Sequence, residues 1–270
     1  MSFMLVSAYF LVIVVIFTLV SKELPLPYMD EPFHYNQTLK YVNGQWSDWD
    51  PKITTLPGLY VINVPFLKIF EGIFYYENDL LLMRGLNAFL FGPLITLVVW
   101  KITNNLNLSL LVTFLPTHFF YTFLYYTDTL STLCVFCSIY CYIKKQKLLS
   151  ALVGGFAVFT RQTNIVWVLV PVLYDFLTDF AENRYFWNRF KASFFENFPH
   201  VLLGLSFLVF LTFNDFSITV GHKEFHSLSI HFAQIVYLLC LTGFYLGPEF
   251  WREAVRGSDS LNTKLITIIN

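Results

Sequence analysis

Residues 28–60 read YMDEPFHYNQTLKYVNGQWSDWDPKITTLPGLY and form the one long polar stretch in the first half of a chain otherwise rich in Phe, Leu, Val and Ile. The stretch carries four carboxylates: Asp30, Glu31, Asp48 and Asp50. It directly follows residues 3–20, an uncharged apolar run long enough for about one bilayer crossing. A carboxylate-rich loop held against a membrane favours a reaction at the membrane surface.

The composition identifies the class of protein. The chain has 270 residues, of which 56% are hydrophobic and only 13% are charged, with a mean hydropathy of +0.57. Soluble domains carry about 25% charged residues, so this composition predicts an integral membrane protein. The net charge of −1 argues against a nucleic-acid partner, which would need a basic excess. No A-x-A-like site follows the first apolar run, which therefore reads as a retained anchor.

Three of the four cysteines, Cys134, Cys137 and Cys141, are spaced to share one face of an apolar helix. A zinc site there would need a fourth ligand and deprotonated thiols, and charge is costly in hydrocarbon. We therefore expect buried thiols, with no metal, disulfide framework or redox motif.

Basic residues in short loops predict the orientation of the chain. Further apolar runs occupy about residues 80–100, 106–126, 130–143, 148–177, 198–213 and 231–246. The Lys-rich segment 144–147 marks a cytosolic loop. Residues 59–70 are broken by Pro65 and Lys68, and we place them in the membrane interface. If residues 59–70 spanned the membrane, the Lys-rich segment 144–147 would face the non-cytosolic side.

The run 148–177 has about 30 residues, which is roughly 45 Å as one helix. It must leave and return to a basic cytosolic flank, so we predict a hairpin of two helices that turns near Arg161–Asn164. With this turn, four polar segments face the same non-cytosolic side: residues 28–60, Tyr125–Asp128, Arg161–Asn164 and 214–226.

Asp30 and Glu31 stand directly before Pro32, and two readings fit them. One is a helix start, with a carboxylate as the cap and Pro in the first turn. The other is a general base at a dry interface. The readings are compatible because a cap also fixes a side chain in place.

Arg161 lies within an apolar run, where a charge needs a partner. Asp128 can form a structural ion pair with it, and a ligand phosphate is the alternative because the guanidinium can donate two hydrogen bonds. Tyr125 and Tyr126 can serve as interface anchors. The later segment GHKEFH, at 221–226, carries His222, Lys223 and His226. Their polarity is explained either by exposure in a loop or by contact with a phosphate.

Four motifs together resemble a known family: YMDExFH at 28–34, WDPxITTxPGLY at 49–60, FLYYTD at 123–128 and RQTNI at 161–165. They resemble the dolichyl-phosphate-glucose-dependent alpha-1,2-glucosyltransferases of the endoplasmic reticulum. These enzymes add the last glucose to the lipid-linked oligosaccharide precursor of N-glycans. The resemblance extends to about Leu246.

The resemblance implies the fold and the chemistry. It implies an all-α polytopic membrane protein with a GT-C-like helical bundle over residues 1–246. A long first lumenal loop, about 21–79, would carry short amphipathic helices. It also implies an inverting transfer with no metal and no cofactor, at the lumenal side of the endoplasmic reticulum membrane. The donor would be dolichyl-phosphate-glucose and the acceptor the lipid-linked oligosaccharide.

The resemblance also assigns roles. Asp30 would be the base that deprotonates the acceptor 2-hydroxyl, with Glu31 as the second choice. Arg161, with His226 or Lys223, would neutralise the leaving phosphate. Sugar faces would stack on aromatic residues, namely Trp46, Trp49 or Tyr60. The other substrate-binding candidates are His34, Asp50, Thr54, Thr55, Tyr126, Asp128, Gln162 and Asn164.

Two departures from the family pattern leave other functions open. The later loop of the family reads roughly Gly-Asp-Lys/Arg-Ser-x-His, whereas this chain has His222 at the acidic position. Family members are also longer, and residues 247–270 read as an atypical tail. The alternatives are a non-catalytic membrane protein that binds lipid-linked glycan or regulates a channel or partner subunit, and a transporter.

Overall fold

The structure is a computed structural model that describes residues 2–73, 78–182, 186–222 and 232–243. These residues contain helices and no strand, which confirms an all-α protein. Two compact units are present, residues 1–225 and 226–270. The helices of the first unit are α1 (Ser2–Glu23), α2 (Glu31–Val42), α3 (Gly58–Ile73), α4 (Asp79–Gly85), a π-helical segment (Leu86–Phe91), α5 (Gly92–Thr103), α6 (Leu106–Thr113), α7 (Pro116–Thr122), α8 (Thr127–Ile143), α9 (Lys147–Thr160), α10 (Asn164–Glu182), α11 (Phe186–Glu196) and α12 (Phe198–Phe213).

Within the described residues, two helices are long and apolar enough to cross a membrane: Met4–Glu23, and Asp79–Thr103, which joins α4, the π-helical segment and α5. A third candidate is the pair Phe190–Glu196 and Phe198–Phe213, which bends by 75° at its break. Shorter apolar helices include α8, α9 and, in the second unit, Phe232–Gly243. These helices agree with an all-α polytopic membrane protein.

The hairpin predicted within residues 148–177 is present. Helix α9 ends at Thr160, Arg161 is extended with φ −145° and ψ 120°, and α10 begins at Asn164. The Asn164 amide fixes this turn by donating hydrogen bonds of 2.7 Å to Ser131 Oγ and 2.8 Å to the Ala157 carbonyl.

The apolar run 106–126 is not one continuous helix. It consists of α6 and α7, which are separated because Pro116 begins α7 and holds Leu115 in an extended conformation, with ψ 127°. A residue before proline is disfavoured in the helical region, so α6 cannot continue through this position.

Helices α8 and α9 run in opposite directions and separate two ends of the bundle. The basic connection between them, 144–147, lies at one end, and the Lys147 ammonium pairs there with Asp175 at 3.2 Å. The first residue of α8, Thr127, and the last of α9, Thr160, lie at the opposite end. We call this second end the site end, because the candidate residues of the sequence analysis meet there.

Candidate functional site

Three polar segments that are distant in sequence meet at the site end. The backbone amide of Asp30, directly before α2, donates to the Tyr126 hydroxyl at 2.6 Å. The Arg161 guanidinium forms an ion pair with Asp128. The Gln162 side-chain amide donates to the Thr54 carbonyl at 3.1 Å. The predicted meeting of the first loop, Tyr125–Asp128 and Arg161–Asn164 is therefore observed.

The start of the later polar loop joins the same end. The Val220 amide donates to the Thr54 carbonyl at 3.1 Å, and the His222 amide donates to the Pro51 carbonyl at 2.9 Å. Between them, Gly221 has φ +75°, and a Cβ there would lie 2.2 Å from the Pro51 oxygen. Only glycine fits this approach. Two further candidates of this loop, Lys223 and His226, lie outside the described residues.

Asp30 is exposed, and its carboxylate is not used to start the helix. It occupies the N-cap position of α2 with a helical φ of −92° and makes no side-chain capping hydrogen bond within the described residues. The helix start predicted at Glu31 and Pro32 is present, but the carboxylate cap is wrong. A side chain released from capping is available to a substrate.

Glu31 has the opposite environment. Its side chain is 0% exposed, and it accepts four hydrogen bonds. The Arg84 guanidinium donates two of them, at 2.9 and 2.5 Å, and the amides of Tyr28 and Tyr125 donate the others at 2.8 and 2.5 Å. Each carboxylate oxygen accepts two bonds, so its lone pairs are occupied. Asp30, whose carboxylate makes no capping bond within the described residues, is therefore the member of this pair that can take a further hydrogen-bond donor.

Arg84 is a site residue that the sequence analysis missed. It lies in α4, within an apolar run, and the signal that singled out Arg161 applied equally to it: a charge in an apolar run needs a partner. Gln37 was also missed. It is fully buried, and it holds the loop after α2 by donating to the Asp48 carbonyl at 2.7 Å and accepting from the Asp50 amide at 2.9 Å.

His34 is buried beside two tyrosines. Its Nδ1 lies 2.8 Å from the Tyr60 hydroxyl, and its ring meets Tyr126 edge-on at 5.9 Å. Burial, reinforced by the charge of Arg161, lowers the pKa of His34 to about 4. Burial raises the pKa of Tyr126 to about 12, although its bond from the Asp30 amide opposes the shift. Both side chains are therefore neutral near pH 7.

The aromatic candidates differ in how much surface they offer. Tyr60 is fully buried, so it has no free face for a sugar, and its hydroxyl contacts His34 instead. Trp46 is 53% exposed and stacks on Tyr41 at 4.6 Å between ring centroids. Trp49 is half-buried and meets Tyr60 edge-on at 5.9 Å. Trp46 offers the most open face to a sugar.

Several other candidates hold the backbone of the site. The Asp50 carboxylate accepts the Lys52 amide at 2.9 Å and so shapes its own turn. Gln162 and Asn164 are buried, and their amides are used by the contacts given above. Thr55 has a buried hydroxyl with no hydrogen-bond partner among the described residues.

Arg161 and Asp128 lie at the edge of this end, with side chains 37% and 29% exposed. Part of the guanidinium can therefore reach a ligand while the ion pair is kept. Within the described ranges, no group of three His, Cys, Asp or Glu side chains is arranged to hold a metal ion.

Comparison with known proteins gives one consistent result. The sequence model of the DIE2/ALG10 family matches residues 24–186 and 172–269 of this chain. The second match includes most of the segment 247–270 that we expected to depart from the family pattern.

Curated relatives carry one name, Dol-P-Glc:Glc(2)Man(9)GlcNAc(2)-PP-Dol alpha-1,2-glucosyltransferase. The Arabidopsis thaliana protein is 27% identical over 85% of this chain and 62% of its own length. The Candida glabrata protein is 31% identical over 85% of this chain and 48% of its own length. A Homo sapiens protein is 30% identical over 90% of this chain and 62% of its own length. The chain thus spans about half to three-fifths of these relatives. No solved structure matches it.

Proposed function

The chain belongs to the DIE2/ALG10 family, and from this premise we propose that it transfers glucose from dolichyl-phosphate-glucose to the glucosylated lipid-linked oligosaccharide. The bond formed would be the terminal alpha-1,2 glucose linkage that the names of the relatives describe. The reaction would take place at the endoplasmic reticulum membrane, with the site end on the lumenal side. The basic connection at the opposite end supports this orientation, because such loops stay in the cytosol.

One observation carries the proposal: the segment with an exposed, uncapped carboxylate contacts the segment that pairs with a partly exposed arginine at the site end. The Asp30 amide bonds to Tyr126, and Asp128, two residues further on, pairs with Arg161. A base and a cation are thus held by neighbouring segments. Such a pair suits an acceptor hydroxyl on one side and a donor phosphate on the other.

The chemistry that follows is a single displacement. Asp30 accepts the proton of the acceptor 2-hydroxyl, and the oxygen forms a bond to the anomeric carbon of glucose. The bond from that carbon to the phosphate oxygen breaks, and its electron pair leaves with dolichyl phosphate. Attack opposite the leaving group inverts a beta-linked donor to an alpha product.

Arg161 would stabilise the charge that develops on the leaving phosphate. A fixed guanidinium is most effective where the transition state is more negative than the ground state at the same oxygen. The planar fork can donate two hydrogen bonds to phosphate while Asp128 holds its other edge.

The test is restoration of the fully glucosylated lipid-linked oligosaccharide in microsomes that lack the native enzyme. We expect the wild-type chain to restore it, and Asp30→Asn to lower the rate by about 10²–10⁴-fold, as loss of a general base does. Asp48→Asn is the matched control. Asp48 is a carboxylate of the same loop whose 3.0 Å ion pair with Lys40 lies at the surface.

Each failure has its own meaning. If the wild-type chain restores no product, the transferase proposal is wrong and a non-catalytic role for the chain takes its place. If Asp30→Asn restores product as well as Asp48→Asn does, the base is another group, while the proposed reaction stands.

A further inference from the structure

Arg84 and Glu31 form a buried ion pair that the proposed reaction does not use directly. The side chains are 2% and 0% exposed, and two hydrogen bonds join them side by side. A buried charge of this kind is costly unless its remaining hydrogen-bonding groups are also satisfied. Here each guanidinium nitrogen has an acceptor, because Arg84 also donates to the carbonyls of Leu24 at 2.6 Å and Leu26 at 3.2 Å.

The pair ties together four parts of the chain. Arg84 belongs to α4, and the carbonyls it contacts follow α1. Glu31 begins α2, and its remaining acceptor positions take the amides of Tyr28 and of Tyr125, which precedes α8. Glu31 therefore does more than balance the charge of Arg84. The backbone amides of Tyr28 and Tyr125 need a hydrogen-bond acceptor, and the Glu31 carboxylate provides one.

The backbone around Asp30 is held in a conformation that it would not choose alone. Met29 has φ +55°, in the left-handed region that is disfavoured for residues other than glycine. Such residues persist where the surrounding structure imposes them. The hydrogen bonds that hold it flank Met29 on both sides: the Tyr28 amide donates to the Glu31 carboxylate, and the Asp30 amide donates to the Tyr126 hydroxyl.

We propose that Arg84 is a positioning residue for the transfer reaction: through Glu31 it fixes the backbone on which Asp30 presents its carboxylate next to Tyr126. The inference rests on the proposed function. Asp30 itself is exposed and makes no cap, so its direction is set by the backbone and not by bonds of its own side chain within the described residues. A misplacement of about 1 Å can cost about 10²-fold in rate.

The experiment compares variants of two buried cations. Arg84→Lys keeps the charge but loses the planar fork, so it cannot satisfy both Glu31 oxygens and both Leu carbonyls. The double variant Arg84→Met with Glu31→Gln removes both charges and avoids leaving one of them unpaired. Lys147→Met is the matched control, because Lys147 is 11% exposed and pairs with Asp175 at the end of the bundle away from Asp30.

Two readouts are measured on folded, membrane-reconstituted protein. For transfer, we expect both Arg84 variants to lower kcat by about 10–100-fold with KM for the donor within about threefold, since donor contacts remain. The Lys147 variant should keep kcat within about threefold. For hydrogen exchange, peptides covering 24–31 and 123–128 should exchange faster in the Arg84 variants only, because the residue 31 side chain that accepts the Tyr28 and Tyr125 amides is no longer held in place.

The outcomes separate the inference from the function on which it rests. If the folded Arg84 variants keep wild-type kcat, or if Lys147→Met loses as much, the positioning role is refuted. Unchanged exchange in both peptides refutes the hold on the backbone independently of activity. If the wild-type protein transfers no glucose, the proposed function fails and the positioning role falls with it, whatever the exchange shows.

Discussion

Gly58 is the first residue of α3, and it touches the last residues of α9 directly before Arg161. A Cβ at this position would lie 2.7 Å from the Phe159 carbonyl oxygen and 2.8 Å from Thr160 Cα. Both are backbone atoms of a helix, so they cannot move aside as the end of a long side chain can. Gly58→Ala therefore forces α3 and the end of α9 apart.

The size of the movement follows from these distances. Ordinary contact with a Cβ begins at 3.4 Å, so the two helices must separate by about 0.7 Å. Overpacking of this kind costs about 1–3 kcal/mol of stability. Arg161 follows Thr160 directly, so it moves relative to the first loop, and a shift approaching 1 Å can lower the rate by up to about 10²-fold.

The assay compares Gly58→Ala with Gly72→Ala, a glycine of the same helix that has no atom within 4 Å of an added Cβ. Both are reconstituted, and thermal stability and glucose transfer are measured. We expect Gly58→Ala to lose both, and Gly72→Ala to keep activity and to gain up to about 1 kcal/mol from helix propensity. Equal stability and equal rates in the two variants would refute the contact on which this reasoning depends.

Two further predictions concern Met29, which precedes Asp30, and His34, which contacts Tyr126. Met29 has φ +55°, so Met29→Ile, which places a β-branched residue in the left-handed region, should lower both thermal stability and the transfer rate, while Met29→Gly should keep both. Thermal melting and the transfer assay measure these effects. Equal behaviour of the two variants would contradict backbone strain at position 29. Burial lowers the pKa of His34 to about 4 in the folded protein, against about 6.5 in the unfolded chain. Acidification through that window therefore favours unfolding, by up to about 3 kcal/mol. His34→Gln should therefore lose less stability than wild type between pH 7 and pH 4.5, and parallel pH curves would contradict the burial of this side chain.

Much of the fold follows from the sequence because membrane segments are set by local composition. The hairpin at Arg161–Asn164 could be predicted because a single helix of that length would end on the wrong side of the basic flanks. The break before Pro116 has an equally local cause, because the proline alone predicts it.

The details of the site depend on tertiary contacts that no local pattern contains. Asp30 and Glu31 are neighbours in sequence, yet one is exposed and the other has four hydrogen bonds, because Arg84 approaches only one of them. The position of Arg84 in an apolar run predicts that it has a partner but does not identify it. Similarly, the aromatic motif around Tyr60 does not show that this ring is buried and supports His34.

The most direct measurement is transfer of labelled glucose by the reconstituted chain, from dolichyl-phosphate-glucose to the acceptor that lacks its terminal glucose, with wild type and Asp30→Asn compared at equal folded amounts. We expect wild type to form an alpha-1,2-linked product and Asp30→Asn to form it at least about 10²-fold more slowly. An active wild type with an equally active Asp30→Asn would contradict the assignment of Asp30 as the base. A wild type that binds donor and forms no product would contradict the proposed glucosyl transfer itself.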